Sequence, residues 1–299
     1  MMAYLFPGQG SQFPGMGLSL STRKPETSRI FQQADELLGL PLTELMCHGT
    51  ADDLRQTKVT QPAIFIYSVA LARCMGDRFR PDAAAGHSLG EFSALTACGA
   101  LSFEEGLQLV AARARAMQSA CELTPGGMAA VIGLADEVVE RVCASVQNGI
   151  VVPANYNCPG QVVVSGDAAA VAQACTLLKE AGARMTVTLE VGGAFHSPLM
   201  APAADALKTA VEQARIAPPS CAIYQNVTAL PTRDPEVIRE NLLSQLTGSV
   251  RWTQSINQMF ADGITACLEV GPGTVLSGLV KKTNRAVGVE SAVCTEIDE

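Results

Sequence analysis

The chain has 299 residues, 21 basic and 29 acidic side chains and a formal net charge of −8. This length suits one large domain or a large and a small one, 48% apolar residues exclude disorder as the main state, and the charge argues against non-specific nucleic-acid binding. The longest apolar stretch, Pro62 to Ala72, falls short of the ~20 residues a bilayer span needs, and the start MMAYLFPGQGSQ lacks the basic-then-apolar order of a secretory signal, so no membrane association is expected.

Short apolar runs alternate with longer helical stretches, the signature of an α/β protein. Ala3–Phe6 reads as a strand running into Gly-rich PGQGSQ, and Gln61–Phe79 as a long apolar helix. Asp82–Ala85 is a small-residue strand, Gly86–Gly90 a tight turn and Glu91–Cys98 a helix. Ser102 with Glu105 is in capping-box register for a helix running to about Ala120. The middle reads strand Met128–Ile132, helix Asp136–Val146, strand Ile150–Tyr156, turn 157–160 and strand Gln161–Ser165. A helix capped by Asp167 and a strand Arg184–Val191, with Val187, Leu189 and Val191 alternating, complete it. That βαββαβ order is the split unit of a ferredoxin-like module. Its ends, Pro125–Gly127 and Gly192-Gly193, are hinge-like. The expected division is a small subdomain, 125–193, inserted into a larger one, 1–124 and 194–299. Beyond it follow helix Leu199–Gln213 with Ser197 as cap, strand Ala222–Gln225, helices Pro235–Leu246 and Trp252–Phe260, strand Ala266–Val270 and helix Thr274–Lys282. The ten cysteines are scattered, with no CxxC and no close Cys/His cluster, so neither structural zinc nor a disulfide framework is expected. A reduced, cytoplasmic chain is the consequent reading.

Gly86-His87-Ser88-Leu89-Gly90 matches GxSxG between a strand and a helix, the context of a nucleophile elbow. Ser88 would stand at a helix N-terminus, with the Leu89 amide aimed at an oxyanion on an attacked carbonyl. A serine nucleophile needs a base, and the chain has three histidines. His87 adjoins Ser88 and is directed away by the turn. His48 reads as a surface residue. His196, in the strand-to-helix loop GGAFHSP, is the base by elimination. Asp136 and Asp167 read as helix caps and Glu190 lies on a polar strand face, so a Ser–His dyad oriented by a backbone carbonyl is expected rather than a carboxylate triad.

Arg113 shares a helix face with Leu109, Val110, Ala116 and Met117. An arginine in an apolar stripe is either part of a structural ion pair, a stem lying along the surface, or a grip on a substrate carboxylate. The Gly8–Gln12 loop lacks phosphate-loop spacing; it is either a plain turn or part of a ligand crevice at a strand end.

FPGQGSQ, TQPA (Thr60–Ala63), GHSLGE (Gly86–Glu91), Arg113, NxNxPGQ (Asn155–Gln161), AFHS and EVGPG (Glu269–Gly273) stand in the order of a known family. Over nearly its whole length the sequence resembles malonyl-CoA:acyl-carrier-protein transacylases. The resemblance implies an α/β-hydrolase-like large subdomain with a ferredoxin-like insert. It implies that Ser88 is malonylated, that His196 is base and then acid, that Gln9 joins Leu89 in the oxyanion hole, and that Arg113 pairs with the malonyl carboxylate. Asn157 would contact substrate, and Phe195 would leave little room for a 2-methyl branch. The partners implied are malonyl-CoA and acyl carrier protein, with no metal or redox cofactor, and the protein is expected to be a monomer. Arg251 stands where several relatives carry Gln, whose backbone carbonyl orients the histidine; its carbonyl is expected to do so here and its side chain to point outward. Lys281, Lys282 and Arg285 are either a charged helix end complementing the dipole or contacts to the acidic carrier protein.

Three other readings compete. A thioesterase or carboxylesterase would use the same elbow but has no reason to hold an anion at Arg113. A stand-alone acyltransferase serving a polyketide synthase would share every catalytic residue. A degenerate binding module would have lost Ser88 or His196, and both are present.

Overall fold

The computed structural model describes residues 1–292. Its elements, in chain order, begin with β1 (Met2–Phe6), α1 (Leu18–Arg23), α2 (Pro25–Leu38), α3 (Leu42–His48), α4 (Thr57–Cys74), β2 (Ala83–Gly86), α5 (Gly90–Ala97) and α6 (Phe103–Leu123). Then come β3 (Gly126–Ile132), α7 (Asp136–Ser145), β4 (Val151–Cys158), β5 (Gln161–Asp167), α8 (Ala168–Glu180) and β6 (Met185–Thr188). The last are α9 (Ala201–Gln213), β7 (Ala222–Tyr224), β8 (Pro231–Thr232), α10 (Pro235–Gln245), α11 (Trp252–Ala261), β9 (Ala266–Glu269), α12 (Val275–Thr283) and β10 (Gly288–Ser291).

Two sheets result. The first has the order β10-β9-β1-β2-β7-β8, parallel except for the β7–β8 hairpin. Its centre is buried on both faces, as parallel sheets require, and β2 is the small-residue run Ala83-Ala84-Ala85-Gly86, buried throughout. Every residue of α4 except Lys58 and Arg73 is buried, which explains why this helix reads as apolar all round. It begins four residues before the expected Gln61 and ends at Cys74, where Gly76, at φ +54°, turns the chain. Helices α1–α3 are absent from the sequence reading, although α2 opens with Pro25 in its first turn and closes on Gly39 at φ +62°.

The second sheet is antiparallel, with order β4-β5-β3-β6. Its two faces have different partners. Ala129, Val131, Val151, Tyr156, Val162 and Val164 pack with α7 and α8 into a separate small core. Met128, Ala154 and Val163 join the main core beside α4 and α6. The sheet is tied to the rest by Tyr156 N–H to Val250 O (2.9 Å) and Val250 N–H to Ala154 O (2.8 Å). At the chain crossings the hinge-like glycines are close-packed: a Cβ on Gly126 would lie 2.6 Å from Ala194 Cβ, and one on Gly193 2.3 Å from Cys121 Sγ.

Four local expectations are adjusted. β6 stops at Thr188, so Val187 on this edge strand is 41% exposed while Leu189 and Val191 lean on the main core. Asp167 is the N-cap residue of α8, as expected, but its side chain makes no capping hydrogen bond; its carboxylate accepts instead from Ile150 N–H at 2.6 Å, pinning the start of β4. Ala135, not Asp136, is the N-cap of α7. Ser102 does cap α6 by accepting from Glu105 N–H, but the Glu105 carboxylate turns to Arg215 N–H instead of closing the box.

Candidate active site

The link from β2 to α5 is a tight turn. Ser88 sits at φ +53°, a left-handed conformation that costs a non-glycine residue ~1–3 kcal/mol and persists only where its surroundings impose it. They do so here. A Cβ on Gly86 would lie 1.8 Å from Gly90 C, and one on Gly90 2.0 Å from Phe6 O, so neither position admits a side chain. Asn226 clamps the turn, accepting from Ser88 N–H at 2.7 Å through Oδ1 and donating to Gly86 O at 2.7 Å through Nδ2. The hydroxyl is thereby pushed out at the C-terminal end of the parallel sheet. Leu89 is the N-cap of α5, so its N–H has no intrahelical acceptor, and the residue lines the same cavity.

His196 arrives on the loop after β6 and is itself left-handed, at φ +57°. Its Nε2 lies 2.8 Å from Ser88 Oγ. Its Nδ1 donates to two carbonyls, Gln245 O at 2.9 Å and Gly248 O at 3.1 Å. A carbonyl only accepts, so the proton belongs on Nδ1 and the Nε2 lone pair faces the serine. Burial, reinforced by the Arg113 charge, pushes the imidazole down to about 3, which keeps it neutral with the Nε2 lone pair free.

Arg113, 1% exposed, reaches the same hydroxyl from α6: Nη2 donates to Ser88 Oγ at 3.0 Å and to Gln245 Oε1 at 3.1 Å, and Nη1 to Gln61 Oε1 at 2.7 Å. Its Cζ stands 5.8 Å above the Phe92 ring. Burial lowers its pKa to about 10, opposed by the Glu91 carboxylate, so it stays cationic.

These groups open on a cavity of about 180 Å³. Gln9, Ser88, Leu89, Arg113, Phe195 and His196 line one side; Met128, Asn155, Asn157 and Val163 of the antiparallel sheet line the other. The cavity thus gathers Ser88, His196, Arg113, Gln9, Leu89, Phe195 and Asn157, all singled out from the sequence. His87 turns away from Ser88 to hydrogen-bond Asn157 Oδ1 at 2.9 Å and packs its ring near Trp252, while His48 is exposed at the end of α3. Lys281, Lys282 and Arg285 lie apart, lining a surface groove with Pro159 and Val287.

Arg251 is the correction. Its carbonyl does not reach His196; as N-cap of α11 it accepts from Ser255 N–H and Oγ, both at 2.9 Å. Orientation falls instead to the carbonyls where α10 ends. The side chain of Arg251 is exposed, as expected. Sequence reasoning also missed Gln245 as a site residue, because a polar side chain inside a helix carries no local signal. It missed Glu91, buried beneath the elbow, though the tetrapeptide SLGE puts it one turn beyond the nucleophile.

The acyl transferase domain family matches residues 3–296. The malonyl CoA-acyl carrier protein transacylase of Bacillus subtilis is 44% identical over 287 residues, 95% of this chain and 90% of that protein. Among solved structures, the acyl-carrier-protein S-malonyltransferase of Bartonella henselae superposes with a TM-score of 0.96 at 38% identity, covering 99% of this chain and 97% of that one. A malonyl-transacylase solved in complex with its holo type II polyketide acyl-carrier protein gives 0.92 at 38% identity, over 97% and 94%. With a serine elbow, a neutral histidine and a buried arginine around one cavity, and a family match spanning nearly all its length, the chain belongs to the acyltransferase family that includes the malonyl CoA-acyl carrier protein transacylases.

Proposed function

We propose that this enzyme carries a malonyl group from malonyl-CoA to the phosphopantetheine thiol of an acyl carrier protein through malonyl-Ser88, supplying fatty-acid elongation. One observation carries the reading: a single serine oxygen within hydrogen-bond reach of both a neutral base and a buried cation. His196 Nε2 takes the Ser88 proton as Oγ bonds to the thioester carbon. The carbonyl oxygen becomes an oxyanion held by the Leu89 amide and Gln9. As the C–S bond breaks, the proton on Nε2 passes to the departing CoA sulfur. The carrier thiol then enters by the reverse sequence, giving a ping-pong cycle with no metal or redox group. Arg113 turns its guanidinium from Ser88 Oγ to the free malonyl carboxylate, a charge-assisted contact in a dry site. A hydrolase of neutral esters would have no use for that cation.

The architecture behind this is read as an α/β-hydrolase-like large subdomain, 1–124 and 194–299, carrying a ferredoxin-like subdomain, 125–193. Nine cysteines among the described residues are free, which suits a reducing cytoplasm, and the protein is read as working there as a monomer. The groove of Lys281, Lys282 and Arg285 next to Pro159 suits an acidic carrier protein. Charge reversal at both lysines should raise KM for the carrier and leave self-malonylation unchanged; an unchanged KM removes this surface.

The deciding experiment is intact-protein mass spectrometry after malonyl-CoA, then after holo carrier protein, with Ser88→Ala beside the wild type. A malonyl adduct that needs Ser88 and moves to the carrier supports the transferase. An adduct that is lost as free malonate makes the enzyme a hydrolase.

A further inference from the structure

Glu91 is fully buried on α5, one turn past the nucleophile, and the chemistry above does not use it. Three donors converge on its carboxylate. Gln225 Nε2 reaches Oε1 at 2.7 Å, while Gln245 Nε2 at 2.8 Å and Asn226 N–H at 3.2 Å reach Oε2. Protonating the group, or replacing it by an amide, would set a donor against a donor. The arrangement therefore calls for the ionised carboxylate. Burial raises its pKa on balance, and these hydrogen bonds and the Arg113 charge oppose that rise; the ionised form is read from the three converging donors.

Gln245 stands between this carboxylate and the cation. Its Nε2 donates to Glu91 Oε2 and to Ser88 O at 3.0 Å; its Oε1 accepts from Arg113 Nη2 at 3.1 Å. An amide side chain can be turned end for end, and the reversed orientation would point N–H groups at a guanidinium that has only donors. An acceptor-only carboxylate on the other side forbids that reversal. The separation also matters. A carboxylate paired directly with Arg113 would occupy the N–H groups that an incoming acyl carboxylate needs. One amide further away, it supplies the countercharge a buried arginine requires, and the neutral Ser88 hydroxyl is what the Nη2 group holds at the cavity.

We propose that Glu91 is a positioning residue for the acyl-group carboxylate: through the Gln245 amide it holds Arg113 charged and oriented, with the Nη2 contact to Ser88 Oγ left exchangeable for that carboxylate. The inference rests on the reading of Arg113 as the malonyl grip. It predicts a selective defect. Glu91→Gln should lower kcat/KM for malonyl transfer about tenfold more than for acetyl transfer, since only malonyl uses Arg113. Glu91→Asp, which keeps the charge, should recover part of that selectivity.

A double-mutant cycle separates this from a merely structural role. In an Arg113→Ala background, Glu91→Gln should cost malonyl transfer no more than about threefold beyond the single arginine variant, because the group it positions is already gone. The same full loss in both backgrounds, or equal losses for malonyl and acetyl transfer, overturns the proposal. Thermal midpoints and circular dichroism of each variant identify any that misfold. If Glu91→Gln does, Gln245→Leu tests the same link: it leaves the backbone carbonyl on His196 and should again hurt malonyl more than acetyl transfer, with equal losses overturning the inference. Should Arg113→Ala alone prove unselective, the grip reading falls and this inference falls with it. Should Arg113→Ala be selective and Glu91→Gln not, only the role of Glu91 is lost.

Discussion

The parallel and antiparallel sheets meet at the same cavity but bring different things to it. From the parallel-sheet region and its connections come every charged or reactive group: Ser88 after β2, Arg113 on α6, and His196 leaning on the carbonyls that end α10. From the antiparallel sheet come Met128, Val163, Asn155 and Asn157, neutral side chains forming a roof. The burial pattern explains the division. A parallel sheet buried on both faces leaves polar groups only at strand ends, where helix N-termini and tight turns expose backbone N–H groups and strained side chains. The antiparallel sheet spends one face on its own helices and has a second, mostly apolar face free to close a cavity. On this reading the first region makes the reaction and the second shapes what fits.

The sharpest way to break that division is Arg113→Ala. It should reduce malonyl transfer about 10²-fold, the scale of a lost charge-assisted contact, and acetyl transfer far less. Steady-state kinetics with both acyl-CoAs decides it, and equal losses would make Arg113 structural.

The next largest effect is on stability in acid. The His196 pKa is depressed to about 3 in the folded chain, well below the 6.5 of a free imidazole. Below pH 6.5 the unfolded chain therefore binds a proton that the folded chain refuses, and folding is weakened as pH falls, until pH about 3. The slope from this group is about 1.4 kcal/mol per pH unit. His196→Asn removes it, so denaturant midpoints should converge toward, or cross, those of the wild type as pH drops from 6.5 to 4. Parallel curves would mean that the ring is protonated in the folded chain.

The roof should respond differently. Val163→Ala removes a side chain only 5% exposed and should cost about 1–2 kcal/mol of stability. Its kinetic signature should be a few-fold gain for bulkier acyl groups with malonyl kcat within about twofold of wild type. A large fall in malonyl kcat would show the roof taking part in the chemistry. Smallest of all, Arg251→Gln should leave the pH–rate profile within about 0.2 unit of wild type, since the side chain is exposed and its carbonyl is held within α11.

The reactive half of the site was the more legible one. GxSxG carries its geometry in the residue types, because Gly86 and Gly90 are demanded by backbone atoms under 2.1 Å from any added Cβ. Arg113 was legible as a charge in an apolar helical stripe, and His196 because few histidines compete. The helices α1–α3 went unread even though Pro25 and Gly39 frame α2, since the Ser/Thr-rich stretch around them resembles loop. Arg251, Gln245 and Glu91 were opaque for another reason. What matters at the first two is where a main-chain carbonyl points, and at the third which donors arrive from the segment after β7 and from α10. Such relations exist only once distant segments have met.

The carbonyls of Gln245 and Gly248 behind His196 have a consequence for how the enzyme tolerates change. A triad that relies on an aspartate side chain can be disarmed by one codon. Here the orienting atoms are present whatever amino acid is encoded, so an alanine scan would find a nucleophile and a base and no third member. Only alterations that reroute the chain after α10, such as an insertion, a deletion or a proline, could remove them. The histidine's alignment is thus inherited with the path of the backbone and does not depend on which side chains stand at 245 and 248.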